Sequence, residues 1–299
     1  MVLFSNSNRA FPLSWQSVPS QFFAQRVFAS VFTLLENPKL VRELNIEVVV
    51  GSPYQLQLLA RDVFTKDNVK PPRLFISIAE RLDGHHRRII QESTGGTVID
   101  VYCASEFSAL IAFECRKCHR LHTNSDCVLI EVLDSDGKPV PPGDRGEVVI
   151  TDLCNFVSPL IRYRTGDIAT VADTVVCNCQ RSLPVQLDKI EGRITDKITL
   201  EGGNQISVLP LLNSLQILLS SSFTLVQEET NLFSLHCYEP NKEISKSRAL
   251  AIQECIVQYA NTSLSVKIQY ESILDRMNDF PGKLRSFISR VPRPESLVI

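Results

Sequence analysis

The chain has 299 residues, enough for one large domain and a smaller one, with 31 basic and 33 acidic side chains and a formal charge of -2. The basic residues are spread along the sequence, which excludes a nucleic-acid footprint. No membrane helix is expected, because the most apolar region, residues 209–226, is interrupted by Asn213, Gln216 and a serine run. The N-terminus lacks a charged-then-apolar signal pattern, so a soluble, cytoplasmic protein with a small-molecule partner is expected. Nine scattered cysteines do not read as a secreted disulfide framework, and some of them are expected to bind metal or do chemistry.

In chain order, residues 15–36 carry aromatic and aliphatic side chains at mixed helical spacing, and "NPKLVREL" follows with Asn37 placed to cap and Pro38 at the first helical position. The run from Ile46 to Val50 predicts a β-branched strand that turns at Gly51 into a helix capped by Ser52 and opened by Pro53. The unit repeats as a strand at Leu74 to Ile78, a helix holding Arg87 to Glu92, a glycine pair, and the strand "TVIDVY". Such alternation predicts a parallel sheet with helices on both faces, and ligands bind beyond the carboxyl ends of such strands. That puts "YCASE", residues 102–106, in a ligand-facing loop.

After Cys115 the pattern becomes β-rich, and "CVLIEVLDSDGKPVPPGDRGEVVITDL" predicts a hairpin around a polar loop. The pieces "FSLHCYEP", "RALAIQECIVQYAN" and "SVKIQY" predict a small α+β unit from about Gly192 onward, joined near "EGRITDK". The fold class is therefore α/β, divided as residues 1–191 and 192–299.

Four segments in one order carry a resemblance. "VIDVYCASEFSALIAFEC", "GEVVITDLCNFVSPLIRYRTGD", "EGRITDKI" and "DFPGKLR" together resemble the phenylacetate-coenzyme A ligase-like branch of the adenylate-forming ligases. The resemblance implies the rear part of a large adenylation domain, with a mixed sheet and a β-rich portion, followed by a small mobile domain that carries the catalytic lysine. It also implies activation of an aryl or acyl carboxylic acid by ATP and Mg²⁺ to an acyl-AMP, with transfer to coenzyme A. In it Asp167 holds the ribose hydroxyls, since a carboxylate accepts two hydrogen bonds at once. Glu106 holds Mg²⁺, a hard ion that prefers oxygen ligands. Tyr102 and Ser105 contact the nucleotide, Arg193 lies near phosphate or ribose, and Lys283 bridges the acid and the α-phosphate as charge develops.

A second constellation is Cys115, His122, Cys177 and Cys179, three thiolates and an imidazole that suit a closed tetrahedral zinc site; Cys118 and His119 are alternative donors. The Cys…His segment and the later "CNCQR" are similar to a pair found in the same branch. Cys103, Cys127, Cys154, Cys237 and Cys255 read as core or surface thiols.

The chain departs from the branch in places. The phosphate-binding loop rich in Ser, Thr and Gly and ending in lysine is not found between Met1 and Arg81. Cys103 replaces a glycine, Thr195 stands at the first Asp of the hinge pair, and "SIAE" at residues 77–80 stands where Gly-Gly-Glu or Ser-Gly-Glu is common. Two function classes follow: a ligase, with the loop supplied by a separate chain or lying upstream, and a relative that binds AMP, an acyl-adenylate or a partner without turnover. A zinc-stabilised scaffold without nucleotide is a third.

Overall fold

The computed structural model describes residues 2–4, 27–29, 34, 41–43, 46–66, 69–107, 109–173, 177, 179, 184–219, 222–238, 245–260, 265–270 and 285–292. The chain divides into two compact units, Met1–Gly192 and Arg193–Ile299.

The first unit is built on a mixed sheet. Strands β1 (Val2–Phe4), β2 (Val27–Ala29), β3 (Val48–Gly51), β4 (Leu74–Ser77) and β5 (Thr97–Tyr102) lie side by side and parallel in the order β2-β1-β3-β4-β5. Helix α1 (Pro53–Asp62) links β3 to β4, and α2 (Gly84–Thr94) links β4 to β5. Each helix starts where its sequence provides for the orphan amides. The Gln55 side chain accepts the Ser52 N–H at 3.0 Å and Pro53 opens α1, while the Asp83 carboxylate accepts the His86 N–H at 2.9 Å at the head of α2. The two helices pack on each other, and Val48, Val50, Ile78 and Val101 form the apolar cluster within the parallel strands. The stretch 15–36, read as helical from its spacing, contains a strand at Val27–Ala29. Three strand-compatible residues paired with β1 outweigh a weak helical period.

The sheet changes direction at β6 (Ala112–Glu114), which pairs antiparallel with β5 through Val101↔Phe113 and Tyr102↔Ala112. It continues through β7 (Leu121–Thr123), β11 (Val185–Arg193), β10 (Tyr163–Val171), β9 (Arg145–Asp152) and β8 (Val128–Leu133), giving eleven strands among the described residues. β8 and β9 form the hairpin expected from the sequence, in the register Val128↔Asp152 to Leu133↔Glu147. Its inward residues Val128, Ile130, Val132, Val148 and Ile150 join Phe107, Ile111 and Leu187 in the main core of this unit.

The second unit has a short ladder, β12 (Lys197–Thr199) with β13 (Gln205–Ser207), and a four-stranded sheet. That sheet is ordered β16 (Ser265–Tyr270), β15 (Leu232–Cys237), β14 (Phe223–Glu229), β17 (Phe287–Ser289), and α3 (Leu209–Leu218) and α4 (Lys246–Ala260) pack on each other. Buried Gln227 stitches ladder to sheet: its amide N–H donates to Thr199 O at 2.6 Å and its carbonyl accepts the Thr199 N–H at 3.1 Å. Fully buried Phe233 anchors the core here, a side chain whose burial contributes on the order of 2–3 kcal/mol. Among the described residues no helix is long and apolar enough to cross a membrane.

Candidate functional site

Strand β10 carries Tyr163, Arg164, Thr165 and Asp167, with Arg162 immediately before it. Its pairing with β9 slips between Arg164 and Ile168, and within the slip Gly166 takes φ 72°, a conformation that costs a glycine nothing. The resulting bulge turns Asp167, only 7% exposed, away from the regular ladder. The Asp167 N–H donates to Thr165 Oγ1 at 3.0 Å, and that hydroxyl donates to Val148 O at 2.9 Å. At the carboxyl end of β5, the Tyr102 hydroxyl donates to Asp167 Oδ2 at 2.7 Å. Two strands far apart in sequence thus bring a tyrosine and a carboxylate together at one end of the sheet.

Ser105 and Glu106 follow Tyr102 in an exposed turn closed by the Phe107 N–H to Ala104 O at 3.2 Å. Tyr163 reaches this turn: its ring meets Phe107 edge-on at 5.8 Å, and its hydroxyl donates to Glu106 Oε1 at 3.4 Å. Arg162 and Arg164 do not face that pair. Arg162, at φ 48°, holds Glu131 through Nε at 3.0 Å and Nη2 at 3.2 Å, and Arg164 is paired with Glu147. Arg193 is exposed and opens the second unit, its carbonyl accepting the Asp196 N–H at 3.1 Å. Lys283 lies outside the described residues.

Beside β5 a second group forms. The Glu114 carboxylate accepts Arg87 Nη2 at 2.6 Å, the Asp100 N–H at 2.9 Å and His119 Nδ1 at 3.0 Å. Desolvation first, and then the Glu114 charge, push the Asp100 carboxyl up to about 7, against the opposing pull of Arg87, Ser77 and the Val101 N–H. Tyr163, Glu114 and Arg87 were not singled out from the sequence. Tyr163 had a signal, two positions from Thr165 on the same strand, whereas nothing local links Glu114 to Arg87.

One residue past Glu114, the donor atoms of Cys115, His122, Cys177 and Cys179 all lie within 4.8 Å of one another. Cys115 Sγ is 3.5 Å from Cys177 Sγ, and Cys179 Sγ is 3.2 Å from His122 Nε2. Metal bonds of about 2.3 Å to sulfur and about 2.0 Å to nitrogen span a tetrahedron with edges of roughly 3.5 Å, so the donor set fits zinc in both chemistry and spacing. Burial works against a Cys115 thiolate, yet the N–H groups of Cys118 and Lys117, with His122 and Cys177, outweigh it and bring its pKa to about 5. The Phe113 ring stacks on His122 at 5.9 Å and fixes its plane.

Sequence comparison finds related curated proteins. The chain is 32% identical over 172 residues to a phenylacetate-coenzyme A ligase of Thermus thermophilus, which is 55% of this chain and 38% of that protein. It is 26% identical over 207 residues to the Pseudomonas putida enzyme of the same name, 67% of this chain and 44% of that one. The chain is thus similar in sequence to the phenylacetate-coenzyme A ligases. It spans less than half the length of these ligases, and no family model matches it. The adenylate-forming fold is shared with a 2-hydroxyisobutyryl-CoA ligase in the postadenylation state, at a TM-score of 0.70 and 16% identity over 96% of this chain and 65% of that one. It is also shared with an anthranilate CoA ligase, at a TM-score of 0.61 and 13% identity over 91% of this chain and 56% of that one.

Proposed function

We propose that the chain takes part in the ATP-dependent activation of a carboxylic acid, aryl or acyl, to an acyl-AMP that is then transferred to coenzyme A. The observation that carries this reading is the Tyr102–Asp167 pair at 2.7 Å, which joins the end of parallel strand β5 to the bulge of β10, with β6, β7 and β11 between them in the sheet order. A buried carboxylate with a hydrogen-bonded phenol beside it suits the two hydroxyls and flat base of a nucleoside. In the reaction a carboxylate oxygen attacks the α-phosphorus of ATP in line and pyrophosphate leaves; the thiol of coenzyme A then attacks the acyl carbon and AMP leaves.

Each residue has a distinct part. Asp167 accepts the ribose hydroxyls, and Tyr102 and Ser105 line the base. Glu106, whose orientation Tyr163 assists, holds Mg²⁺ by its carboxylate. Mg²⁺ neutralises charge on the phosphates when bound. Arg193 supplies positive charge for the phosphate or the ribose. Lys283 stabilises the oxygens that gain charge as pyrophosphate departs. The division into a nucleotide-holding front and a smaller rear unit with Lys283 then serves the two half-reactions in turn. Cys115, His122, Cys177 and Cys179 hold a structural zinc ion that ties the β6–β7 turn to the approach to β11.

Pyrophosphate release by the 299-residue chain with ATP and Mg²⁺, over a panel of aryl and fatty acids, tests the reading. Acid-dependent release is expected, and Lys283→Ala should abolish it while AMP binding stays within about twofold, because the lysine acts mainly on the transition state. Equal loss of release and binding would remove Lys283 from that role. AMP binding with no release for any acid would replace turnover by binding alone.

A further inference from the structure

The Cys115–His122–Cys177–Cys179 group has a fifth sulfur beside it. Cys118 ends a Cys-x-x-Cys turn that starts at Cys115: the Lys117 N–H reaches the Cys115 sulfur at 3.4 Å, His119 sits at φ 56°, and its N–H returns to Cys115 O at 2.9 Å. The turn brings the Cys118 thiol into hydrogen-bond contact with the thiol of Cys177, so Cys177 has two sulfur neighbours, Cys115 at 3.5 Å and Cys118. The two neighbours differ in access. Cys115 is 1% exposed and its sulfur is engaged by backbone amides, whereas Cys118 is half-buried and reachable from solvent.

Four donors complete a tetrahedral zinc site. A fifth thiol against one of the four is therefore left available for chemistry other than holding the ion.

We propose that Cys118 is the redox partner of Cys177, and that a peroxide joins the two as a disulfide and expels the metal. The proposal rests on the zinc reading given above. Hydrogen peroxide takes two electrons from the Cys118 thiol, leaving a sulfenic acid and one water. The Cys177 sulfur then leaves zinc and attacks the oxidised sulfur; the S–O bond breaks, hydroxide departs, the S–S bond forms, and zinc stays divalent with three ligands. Loss of the ion unties the β6–β7 turn from the approach to β11. β6 is paired with the end of β5 that carries Tyr102, so oxidation loosens the nucleotide pocket from behind.

The test uses the full chain, with its zinc content measured by elemental analysis, zinc release by hydrogen peroxide followed with a chromogenic chelator, and disulfides mapped by mass spectrometry without reduction. One zinc per chain, release on oxidation, a peptide linking Cys118 to Cys177, and recovery with a thiol reductant are expected. Cys118→Ser and Cys118→Ala should keep the same zinc content and release it at least about fivefold more slowly. Loss of zinc from both variants would make Cys118 a ligand and overturn the proposal. So would unchanged release, or a linked peptide joining other thiols such as Cys127 and Cys154. A chain that takes up no zinc at all would sink the zinc reading and the expulsion step with it, and the peptide map would then decide the Cys118–Cys177 pairing by itself.

Discussion

Asp100 keeps its proton far up the pH scale because it is desolvated and faces the Glu114 charge, with Arg87 only partly compensating. Its folded value of about 7 is above that of an unfolded aspartate, so the folded chain holds a proton that the unfolded chain has released. The stability this contributes is full below about pH 4 and is lost as pH rises through about 7. Asp100→Asn should therefore gain melting temperature over the parent as pH goes from 5 to 8, by several degrees. A difference that does not change with pH would mean that Asp100 titrates alike folded and unfolded. Ala79 is a different kind of stored cost. It lies at φ 71° within a tight turn in which the Glu80 N–H reaches Ile78 O at 2.8 Å, and its methyl group is exposed. Ala79→Gly relieves the left-handed conformation without removing any packing and should stabilise the chain by roughly 0.5–1 kcal/mol in urea unfolding. An unchanged midpoint would show that the turn relaxes by another route. The sequence pattern set against the family had suggested a glycine at this place, and the backbone still takes a glycine's shape.

At the level of elements, what was legible depended on how local the signal was. Helices α1 and α2 announced themselves through Ser52, Pro53 and the glycine pair after Thr94, and the β8–β9 hairpin through its polar loop, because caps and turns act over three or four residues. Strands β6 and β7 have three residues each, too short for any alternation to stand out, and β2 sits in a stretch whose spacing suggested helix. The pairing of β11 with β7 joins residues more than sixty positions apart, which no local pattern carries. The hairpin also depends on one position with no room. A Cβ at Gly146 would lie 2.5 Å from Leu133 O, a backbone atom of the partner strand. Gly146→Ala should cost about 2 kcal/mol or more and weaken the whole β8–β9 register, read as a lower urea midpoint with increased hydrogen exchange in both strands. A cost under about 0.5 kcal/mol would mean that the strands separate locally with little strain.

For the molecule as a whole, the division at Gly192 leaves each unit with buried apolar residues of its own. Leu187 and Ile150 serve the first, and Phe233, Leu235 and Ile252 lie in the second. All four donors of the metal group belong to the first unit. With the zinc proposed for this group bound, its removal by a chelator should raise hydrogen exchange in β6, β7 and the start of β11, and leave β14 and β15 unchanged. A uniform rise in both units would show that they open as one cooperative body. The donor types of this group could be read from the sequence, because sulfur and imidazole advertise their chemistry. Their closeness could not, since Cys115 and Cys177 are 62 positions apart and meet only because β7 pairs with β11. Asp167 was legible as a residue and not as a position: the bulge that aims it exists only once β9 lies alongside.

That bulge separates chemistry from architecture. A two-residue deletion of Gly166 and Asp167 would restore an unbroken ladder with β9, leaving the sheet at least as regular as before and the carboxylate gone. The site is thus written in the one irregular step of an otherwise ordinary strand. A descendant of this chain could shed the nucleotide recognition proposed for it in one event, keep its shape, and be left as a ready-made scaffold on which selection could build something else.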